Sequence, residues 1–297
     1  YNPPSGIIAT ANSRITPRNY PYLLATQWFP PYRVERIYHV LQSGKKFSPS
    51  DMLALQTDIT SEYDRFFADH FVYAIDNSSK ATDRAHRAAD VMRGFDGRML
   101  ANAAAPTIEV NARKALWEML LEPKLGRNWD RYQWSEAAVA LETIVQNQPD
   151  RWLPPGYSNF NDLLAAAVDK ATQDAPADLK SWKYGEEFPV VINHPLFGAI
   201  PGLRKLSGPG RHPQSGGGYT VKQVGRSFGP SERMTVDFSG LDNSTFNLVT
   251  GESGQLLSSY YMDQWEAWYN NKTFKLAYSG DAVQSDKAHE LTLTPGK

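Results

Sequence analysis

The sequence changes character at about Lys183, and this change limits the folds that the chain can adopt. Between residues 48 and 174, apolar residues recur at helical spacing through a series of stretches. After Lys183, short runs such as FPVVIN, YTVKQV, ERMTVDF and TFNLVT are separated by segments rich in glycine and proline, as in strands and hairpins. A block of helices followed by strands predicts an α+β architecture, in which the helices cover a sheet or form an insertion.

The first helical stretch, KFSPSDMLALQTDITSEYDRFFADHFVYAI, carries its own start signal. Ser48 is the expected N-cap, with Pro49 at the first helical position and Asp51 in the first turn. An apolar face continues through residues 55 to 71, which predicts one long amphipathic helix. The other helical stretches are ATDRAHRAADVMRGF, PTIEVNARKALWEMLLEP, SEAAVALETIVQNQ and SNFNDLLAAAVDKATQD, the last with Ser158 as its expected cap.

A short strand is predicted near the beginning of the sequence. Residues 6–11, GIIATA, form a β-rich run between NPPS and NSRITPRNYP, which is the punctuation expected at strand ends. Asn12 follows this run directly. Asparagine suits the end of a strand because its amide can satisfy a local backbone group, so the residue types alone favour a turn role.

Charge and composition argue against several classes of partner and site. The 297 residues carry 31 Lys+Arg and 32 Asp+Glu without a long run of one sign, so no footprint for nucleic acid or an anionic membrane surface is present. No apolar run approaches the roughly 20 residues of a membrane span. The absence of cysteine removes thiolate catalysis and Cys-ligated zinc. The histidines lack ligand spacing, so no metal site is predicted.

Several short motifs, taken in order, carry a family resemblance. NPPSGIIATAN at residues 2–12 is followed by the pair Tyr20-Pro21 and by Arg33 in YRVERI. Later come FDG, INHPLFGAIPGL, GPGRHPQSGGGYTVKQ and GPSERMTVDFSGLDNSTFNLVTGESGQLLSSYYMDQ. From residue 2 to about residue 278, this ordered set resembles the penicillin acylase family of N-terminal nucleophile hydrolases.

The resemblance implies a fold and a division of the chain. The expected fold is part of the family's αββα sandwich, with a helical middle segment. Residues 1–40 would supply a strand and loop of the catalytic sheet, residues 41–183 the helical segment, and residues 184–297 a β-rich segment that returns to the same sheet.

The resemblance also implies roles for two residues. In the family, the asparagine at the position of Asn12 donates its side-chain amide to the oxyanion hole, and a rigidly held neutral donor stabilises the developing negative charge without reorganising. On this view Asn12→Ala leaves folding nearly unchanged and lowers turnover severely. Arg33 matches an arginine that organises the site and the bound substrate, while a surface ion pair with Glu35 is the alternative interpretation.

The family's nucleophile is expected to lie outside these residues. It is a serine at the N-terminus of the catalytic chain, freed by self-cleavage, and its α-amine, with an unperturbed pKa of about 7.7–8.0, acts as the base. Tyr1 lacks this chemistry. The expected partners are therefore upstream segments of the same precursor, namely the alpha chain and the N-terminal part of the beta chain, and the present chain alone is expected to be inactive.

The resemblance implies an amidohydrolase that acts on a small-molecule N-acyl amide without a cofactor. Penicillin-like side-chain amides and acyl-homoserine lactones are the implied substrates, and a non-catalytic binding or assembly fragment is the alternative. Many family members hold a structural calcium through a carboxylate shortly after the Tyr-Pro pair, but YPYLLATQW offers none, so any calcium would belong to the intact enzyme. Phe188 stands where many relatives have histidine. Analogy with bacterial relatives implies a periplasmic or secreted protein.

Overall fold

The computed structural model describes residues 2–132, 134, 136–203 and 207–296, so Tyr1 and Ser135, which the sequence analysis includes, lie outside the described residues. The helices are α1 (Tyr32–Leu41), α2 (Pro49–Gln56), α3 (Glu62–Asn77), α4 (Asp83–Met92), α5 (Ala105–Leu125), α6 (Ala137–Asn147), α7 (Phe160–Thr172), α8 (Tyr184–Glu187), α9 (Trp265–Tyr269) and α10 (Gly280–Asp286). The strands are β1 (Val190–Ile192), β2 (Gly210–His212), β3 (Glu232–Thr235), β4 (Thr245–Leu248) and β5 (Phe274–Lys275). This mixture confirms the predicted α+β class.

The chain forms two compact units. The first comprises Tyr1–Lys45, Asp58–Val191 and Arg211–Phe228, and the second comprises Lys46–Thr57, Ile192–Gly210 and Gly229–Lys297. The division into residues 1–40, 41–183 and 184–297 stays a prediction.

The core of the first unit lies among helices α3 to α7. Helix α5 packs most extensively against α7, and α3 packs against both α7 and α4. Alanines such as Ala88, Ala112 and Ala167 are fully buried and let neighbouring helices approach closely, while larger side chains fill the space between them. Burial of each large apolar side chain stabilises the fold by about 1.5–3 kcal/mol. Such fully buried large side chains include Phe67, Phe71, Ile108, Leu116, Leu163 and Val168.

The prediction of a single long helix from residue 48 onward is wrong, because the helical conformation is interrupted between α2 and α3. Polar side chains at the break satisfy backbone groups locally. The Thr57 hydroxyl donates to carbonyls of the preceding turn, and the Thr60 amide donates to Asp58 Oδ1 at 2.7 Å. Ser61 then accepts from the Asp64 amide and starts α3 as its N-cap. The apolar periodicity continues across the break, so periodicity alone does not reveal it.

Helix starts are set by caps, one of which was predicted correctly. Ser48 caps α2 in a capping box, in which its side chain accepts from the Asp51 amide and Asp51 accepts from the Ser48 amide. At α7 the predicted cap is wrong by one residue. Asn159, not Ser158, has extended backbone and accepts from the Asp162 amide at 2.9 Å.

The predicted strand at residues 6–11 does not form within the described residues. Residues 7–10 have no regular secondary structure, and Ile8 is 79% exposed. A strand needs a hydrogen-bonded neighbour, and no described segment pairs with this one. The regular element of the first forty residues is instead α1, which begins at Tyr32 after Pro31.

The second unit contains an antiparallel sheet in the order β3-β4-β5. In its register Arg233 lies opposite Asn247, and Thr245 lies opposite Lys275. The predicted strands in ERMTVDF and TFNLVT are therefore confirmed, and FPVVIN contains β1, which pairs with β2. The run YTVKQV is not a strand: residues 219–222 form turns and bends, with the Thr220 hydroxyl bonded to the Lys222 carbonyl at 2.7 Å.

Candidate active site

Asn12 occupies a sharp change of chain direction in the first unit. Its φ is +65°, a left-handed conformation that asparagine adopts more readily than most residues. Its neighbours Ala11 and Ser13 are buried, whereas Asn12 itself is exposed. The Asn12 carbonyl accepts a hydrogen bond from the Phe29 amide at 3.0 Å, which ties the turn to the returning loop. The side chain of Asn12 is thus presented outward from a fixed backbone.

Arg33, in the first turn of α1, holds the side chain of Asn12. Its Nη2 donates to Asn12 Oδ1 at 2.8 Å and to the Ala11 carbonyl at 2.8 Å. Because guanidinium nitrogens are donors only, the amide oxygen of Asn12 faces Arg33 and the Nδ2 group faces away. The alternative ion pair between Arg33 and Glu35 is absent from the ion pairs of the described residues.

Helix α1 is fixed on both sides of Arg33. The Tyr32 hydroxyl donates to Glu142 Oε2 at 2.6 Å, and the Tyr32 ring lies 4.5 Å from the Tyr63 ring. One turn further, Arg36 donates through Nε and Nη2 to one carboxylate oxygen of Asp58, at 3.1 and 2.6 Å. These contacts set the rotation of α1 and therefore the direction in which Arg33 extends.

Burial changes the electrostatics of this helix. It lowers the pKa of Arg33, yet an arginine remains charged at neutral pH. Burial, followed by the hydrogen bond to Glu142, raises the pKa of Tyr32 far above its ordinary value, so the Tyr32 hydroxyl keeps its proton. The site thus combines a fixed cation, a neutral phenol and an amide with one open donor group.

Tyr32, Arg36 and their partners were not predicted from the sequence. Tyr32 and Arg36 lie four residues apart on one helical face, but Glu142 and Asp58 are distant in sequence or on another element. No local pattern identifies such pairs from a single sequence. The structure does bring together the two predicted residues, Asn12 and Arg33.

A cavity of about 380 Å³ lies elsewhere in the first unit. Its wall includes Arg113, which donates to Asp64 Oδ1 and Glu109 Oε1, each at 2.7 Å. Phe188 also lies on this wall, where the Lys114 Nζ atom is 4.4 Å from the centroid of its ring. Phe188 therefore makes a cation–π contact with Lys114. Neither Asn12 nor Arg33 lines this cavity.

Burial dominates the ionisation of the charged cluster at this cavity. It raises the pKa of Glu109 well above the ordinary carboxyl value, an effect that Arg113 opposes and Asp64 adds to. Burial alone would lower the pKa of Arg113, but the charges of Glu109 and Asp64 raise it. Arg113 thus bridges two buried carboxyl groups, Asp64 and Glu109, and burial raises the pKa of Glu109.

In the described part of the chain, no group of three or more His, Cys, Asp or Glu residues is placed to hold a metal ion. The segment YLLATQW directly after Tyr20-Pro21 likewise supplies no carboxylate, so it does not fit a calcium site. Among the helices of the described ranges, none has the length and apolarity needed to span a membrane.

Comparison with known proteins gives consistent matches. A model of the penicillin amidase family matches residues 1–285. The chain is 27% identical to the penicillin acylase 2 proenzyme of Pseudomonas sp. (strain SE83), over 99% of this chain and 39% of that protein. It is 28% identical to the acyl-homoserine lactone acylase QuiP of Pseudomonas syringae pv. tomato, over 100% of this chain and 40% of that protein.

A solved structure shares the fold. The thermostable penicillin G acylase from Alcaligenes faecalis, in its orthorhombic form, aligns with a TM-score of 0.66 and 15% sequence identity. The alignment covers 100% of this chain and 58% of the other chain. The chain thus spans about two fifths of the length of the curated relatives that it matches.

Proposed function

This chain belongs to the penicillin amidase family, and from that premise we propose that it contributes the oxyanion-stabilising amide to an N-terminal serine amidohydrolase. In the proposed reaction, a serine oxygen attacks the carbonyl carbon of an N-acyl amide. The carbonyl oxygen becomes negative in the tetrahedral intermediate. The C–N bond then breaks, the amine leaves with a proton, and water hydrolyses the resulting acyl-enzyme.

The observation that carries the proposal is the hydrogen bond from Arg33 to Asn12 Oδ1. It fixes the amide so that Nδ2, a neutral donor, is directed away from Arg33. A donor held in place before charge develops stabilises the transition state without reorganisation. The charge on Arg33 also polarises the amide through its oxygen, which makes the Nδ2–H group a stronger donor. Arg33 is thus proposed to organise the site.

We propose that the serine and most of the acyl pocket come from polypeptide outside these 297 residues. The share of the curated relatives that the chain spans supports this division. The complementary polypeptide would be the alpha chain and the N-terminal part of the beta chain of the same precursor. On this proposal the present chain is inactive alone, and by analogy with exported relatives the enzyme acts in the periplasm or outside the cell.

The names of the relatives suggest two substrate classes. One relative is named a penicillin acylase and another an acyl-homoserine lactone acylase, at nearly equal identity to this chain. Both names describe the cleavage of an N-acyl amide, so the proposed role of Asn12 is the same for either substrate. Assays with phenylacetyl amides and with longer acyl-homoserine lactones separate the two classes.

The test is to replace Asn12 in the complete, assembled protein and to measure turnover. Asn12→Gly removes the amide while keeping a residue suited to φ +65°, and we expect kcat to fall by about 10²–10³ with a small change in KM. Asn12→Asp places a negative charge where the oxyanion forms, and we expect at least the same loss. Gln148→Gly is the matched control, because Gln148 is also an exposed carboxamide at positive φ.

Three results would contradict parts of the proposal. If Asn12→Gly turned over substrate as fast as Gln148→Gly, Asn12 would not stabilise the oxyanion. If the complete protein with an intact leading serine hydrolysed neither substrate class, the alternative of a binding or assembly protein would replace the amidohydrolase. Activity of the isolated chain would overturn the proposed origin of the nucleophile.

A further inference from the structure

The second unit buries a guanidinium group that has no carboxylate partner. Arg233, in β3, is 1% exposed, and its Nη1 donates to the Trp268 carbonyl at 2.9 Å. Its Nε and Nη2 atoms are buried and have no hydrogen-bond partner among the described residues. Every Asp and Glu of the sequence lies within the described ranges, so no undescribed side chain supplies the missing carboxylate.

A second unpartnered side chain faces this guanidinium across the sheet. Asn247, in β4, lies directly opposite Arg233 in the antiparallel register and is 0% exposed. Residues that lie directly opposite in such a pair place their side chains on the same face of the sheet. Both amide atoms of Asn247 are buried without a partner in the described part of the chain. Arg233 and Asn247 together therefore provide three open donor atoms on one buried face.

An aromatic side chain closes this face. Trp268, in α9, is 0% exposed, and its ring centroid lies 5.1 Å from the Cζ atom of Arg233. The Trp268 Nε1 atom donates to the Pro230 carbonyl at 2.7 Å, which fixes the ring in this position. A cation–π contact compensates only part of the loss of hydration of a guanidinium. It also leaves the in-plane donors Nε and Nη2 without an acceptor.

The charge on Arg233 persists at neutral pH and needs compensation. Burial lowers its pKa to about 10, which still leaves the group protonated at pH 7. A buried charge that has no counter-ion and only part of its hydrogen bonds is unfavourable. Water could accept from the open donors, but only an anion would also neutralise the charge. The unpartnered atoms of both side chains are buried, so an anion that reaches them must be small and must shed its water.

We propose that Arg233, Asn247 and Trp268 enclose a binding site for a small monovalent inorganic anion of the size of chloride. Arg233 Nε and Nη2 donate to the anion, and the Asn247 amide turns its Nδ2 group toward it. The Oδ1 atom of Asn247 then faces the guanidinium. Such a bound anion holds β3, β4 and α9 together, so its effect is on the stability of the second unit.

Thermal unfolding at constant ionic strength tests the site. Sodium gluconate, whose anion is too large to enter, is replaced stepwise by sodium chloride or bromide. We expect Tm to rise by about 3–5 °C for each tenfold increase in halide above its dissociation constant. Arg233→Met removes the charge while retaining an apolar stem, and we expect it to abolish the halide dependence. Arg87→Met, at an exposed position on α4, removes one charge elsewhere and should retain the dependence.

A second measurement decides the question if Arg233→Met fails to fold. Crystals of the unaltered protein grown in sodium bromide should give an anomalous scattering peak within hydrogen-bond distance of Arg233 Nη2. A Tm that depends only on ionic strength would overturn the proposal, as would halide dependence retained in Arg233→Met. Water density without an anomalous peak at Arg233 would show that the guanidinium is hydrated instead.

Discussion

The backbone of Asn12 explains why asparagine suits this position apart from any catalytic role. At φ +65° a side chain with a Cβ atom is strained, and glycine and asparagine are the residues that adopt this conformation most readily. The turn role suggested by the residue type and the proposed oxyanion role are therefore compatible. This angle also changes the expectation that Asn12→Ala leaves folding unaffected, because alanine combines loss of the amide with backbone strain.

We predict that Asn12→Ala is less stable than Asn12→Gly by about 1 kcal/mol, because only glycine relieves the left-handed conformation. Urea unfolding of both variants, compared at equal m-values, measures the difference. Equal midpoints would show that residue 12 leaves the left-handed region in solution. In that case Asn12→Ala would serve as well as Asn12→Gly for the kinetic test.

The buried cluster of Asp64, Glu109 and Arg113 gives a second prediction at the residue scale. The pKa of Glu109 is raised in the folded protein, whereas a glutamate in the unfolded chain has a pKa of about 4.3. The folded state therefore binds the extra proton, and stability falls as pH rises from that value toward the folded pKa. Glu109→Gln mimics the protonated acid and keeps the acceptor for Arg113 Nε, so we expect unchanged or higher stability at pH 7 and a smaller fall with pH.

Arg113→Met, in the same cluster, is expected to lower stability, in contrast to Glu109→Gln. It leaves the Asp64 carboxylate buried without its cation, and we expect a loss of about 3–5 kcal/mol. Unfolding free energies measured at pH 5 and pH 8 distinguish the two variants. If Glu109→Gln were as destabilising as Arg113→Met, Glu109 would be ionised in the folded protein.

At the scale of elements, one carboxylate links the chain that follows α3 to the first turn of α7, in addition to the packing of the two helices. Asp162, in the first turn of α7, accepts from the Ser78 hydroxyl at 2.7 Å and pairs with Lys80 Nζ at 3.1 Å. The hydrogen bond from Ser78, followed by the one from Lys80, lowers the pKa of Asp162. The stabilisation is therefore present above the unfolded pKa and is lost as pH falls through the folded pKa.

We predict that Asp162→Asn lowers stability at neutral pH and flattens the loss of stability on acidification below about pH 4. Asp69→Asn, at an exposed position of α3, is the control and should change neither property. Urea unfolding between pH 2 and pH 7 gives both curves. If Asp162→Asn lost stability on acidification as steeply as the unaltered protein, other carboxylates would be responsible for the acid sensitivity.

Elements that are defined by nearby residues could be predicted from the sequence, whereas elements that depend on distant residues could not. The N-cap at Ser48 and the helices α4 to α7 follow from nearby residues, and they were predicted correctly, whereas the short helices α8, α9 and α10 were not predicted. The break at Thr57 was missed because its local hydrogen bonds compete with an apolar periodicity that continues through it. The Arg233–Asn247 pair was missed because it depends on strand register. The roles of Asn12 and Arg33 were predicted from family resemblance rather than from local pattern, and they stay a prediction.

At the scale of the whole molecule, two features of the first thirty residues suggest contact with another polypeptide. They are the strand composition of residues 6–11 and the exposure of the loop that follows. The run GIIATA has strand composition but no described strand beside it. Large apolar side chains from the same part of the chain are exposed, which is unusual for so many within one segment. They are Ile8, Ile15, Tyr20, Tyr22, Leu23, Leu24 and Phe29. A complementary polypeptide that pairs with residues 7–11 would satisfy both the backbone and these side chains.

This explanation predicts a difference between the isolated chain and the assembled protein. Amide hydrogen exchange at residues 7–11 should slow by at least about tenfold on assembly, because strand pairing protects the amides. The amides of residues 290–294 provide the reference, because Leu291 and Leu293 are also highly exposed. If exchange at residues 7–11 were equally fast in both states, this segment would not be paired in the enzyme.

The same explanation predicts different effects of two variants on assembly with the complementary polypeptide. Ile8→Glu places a charge where we expect apolar packing against the complementary polypeptide, so it should weaken assembly by about tenfold or more, since burying an unpaired charge is unfavourable. Leu291→Glu makes the same chemical change at a comparably exposed residue and should assemble normally. Co-purification of each variant with the complementary polypeptide measures the outcome. Because Asn12 lies four residues after Ile8, pairing of this segment would also fix the position of the proposed oxyanion donor, and equal assembly of the two variants would contradict that link.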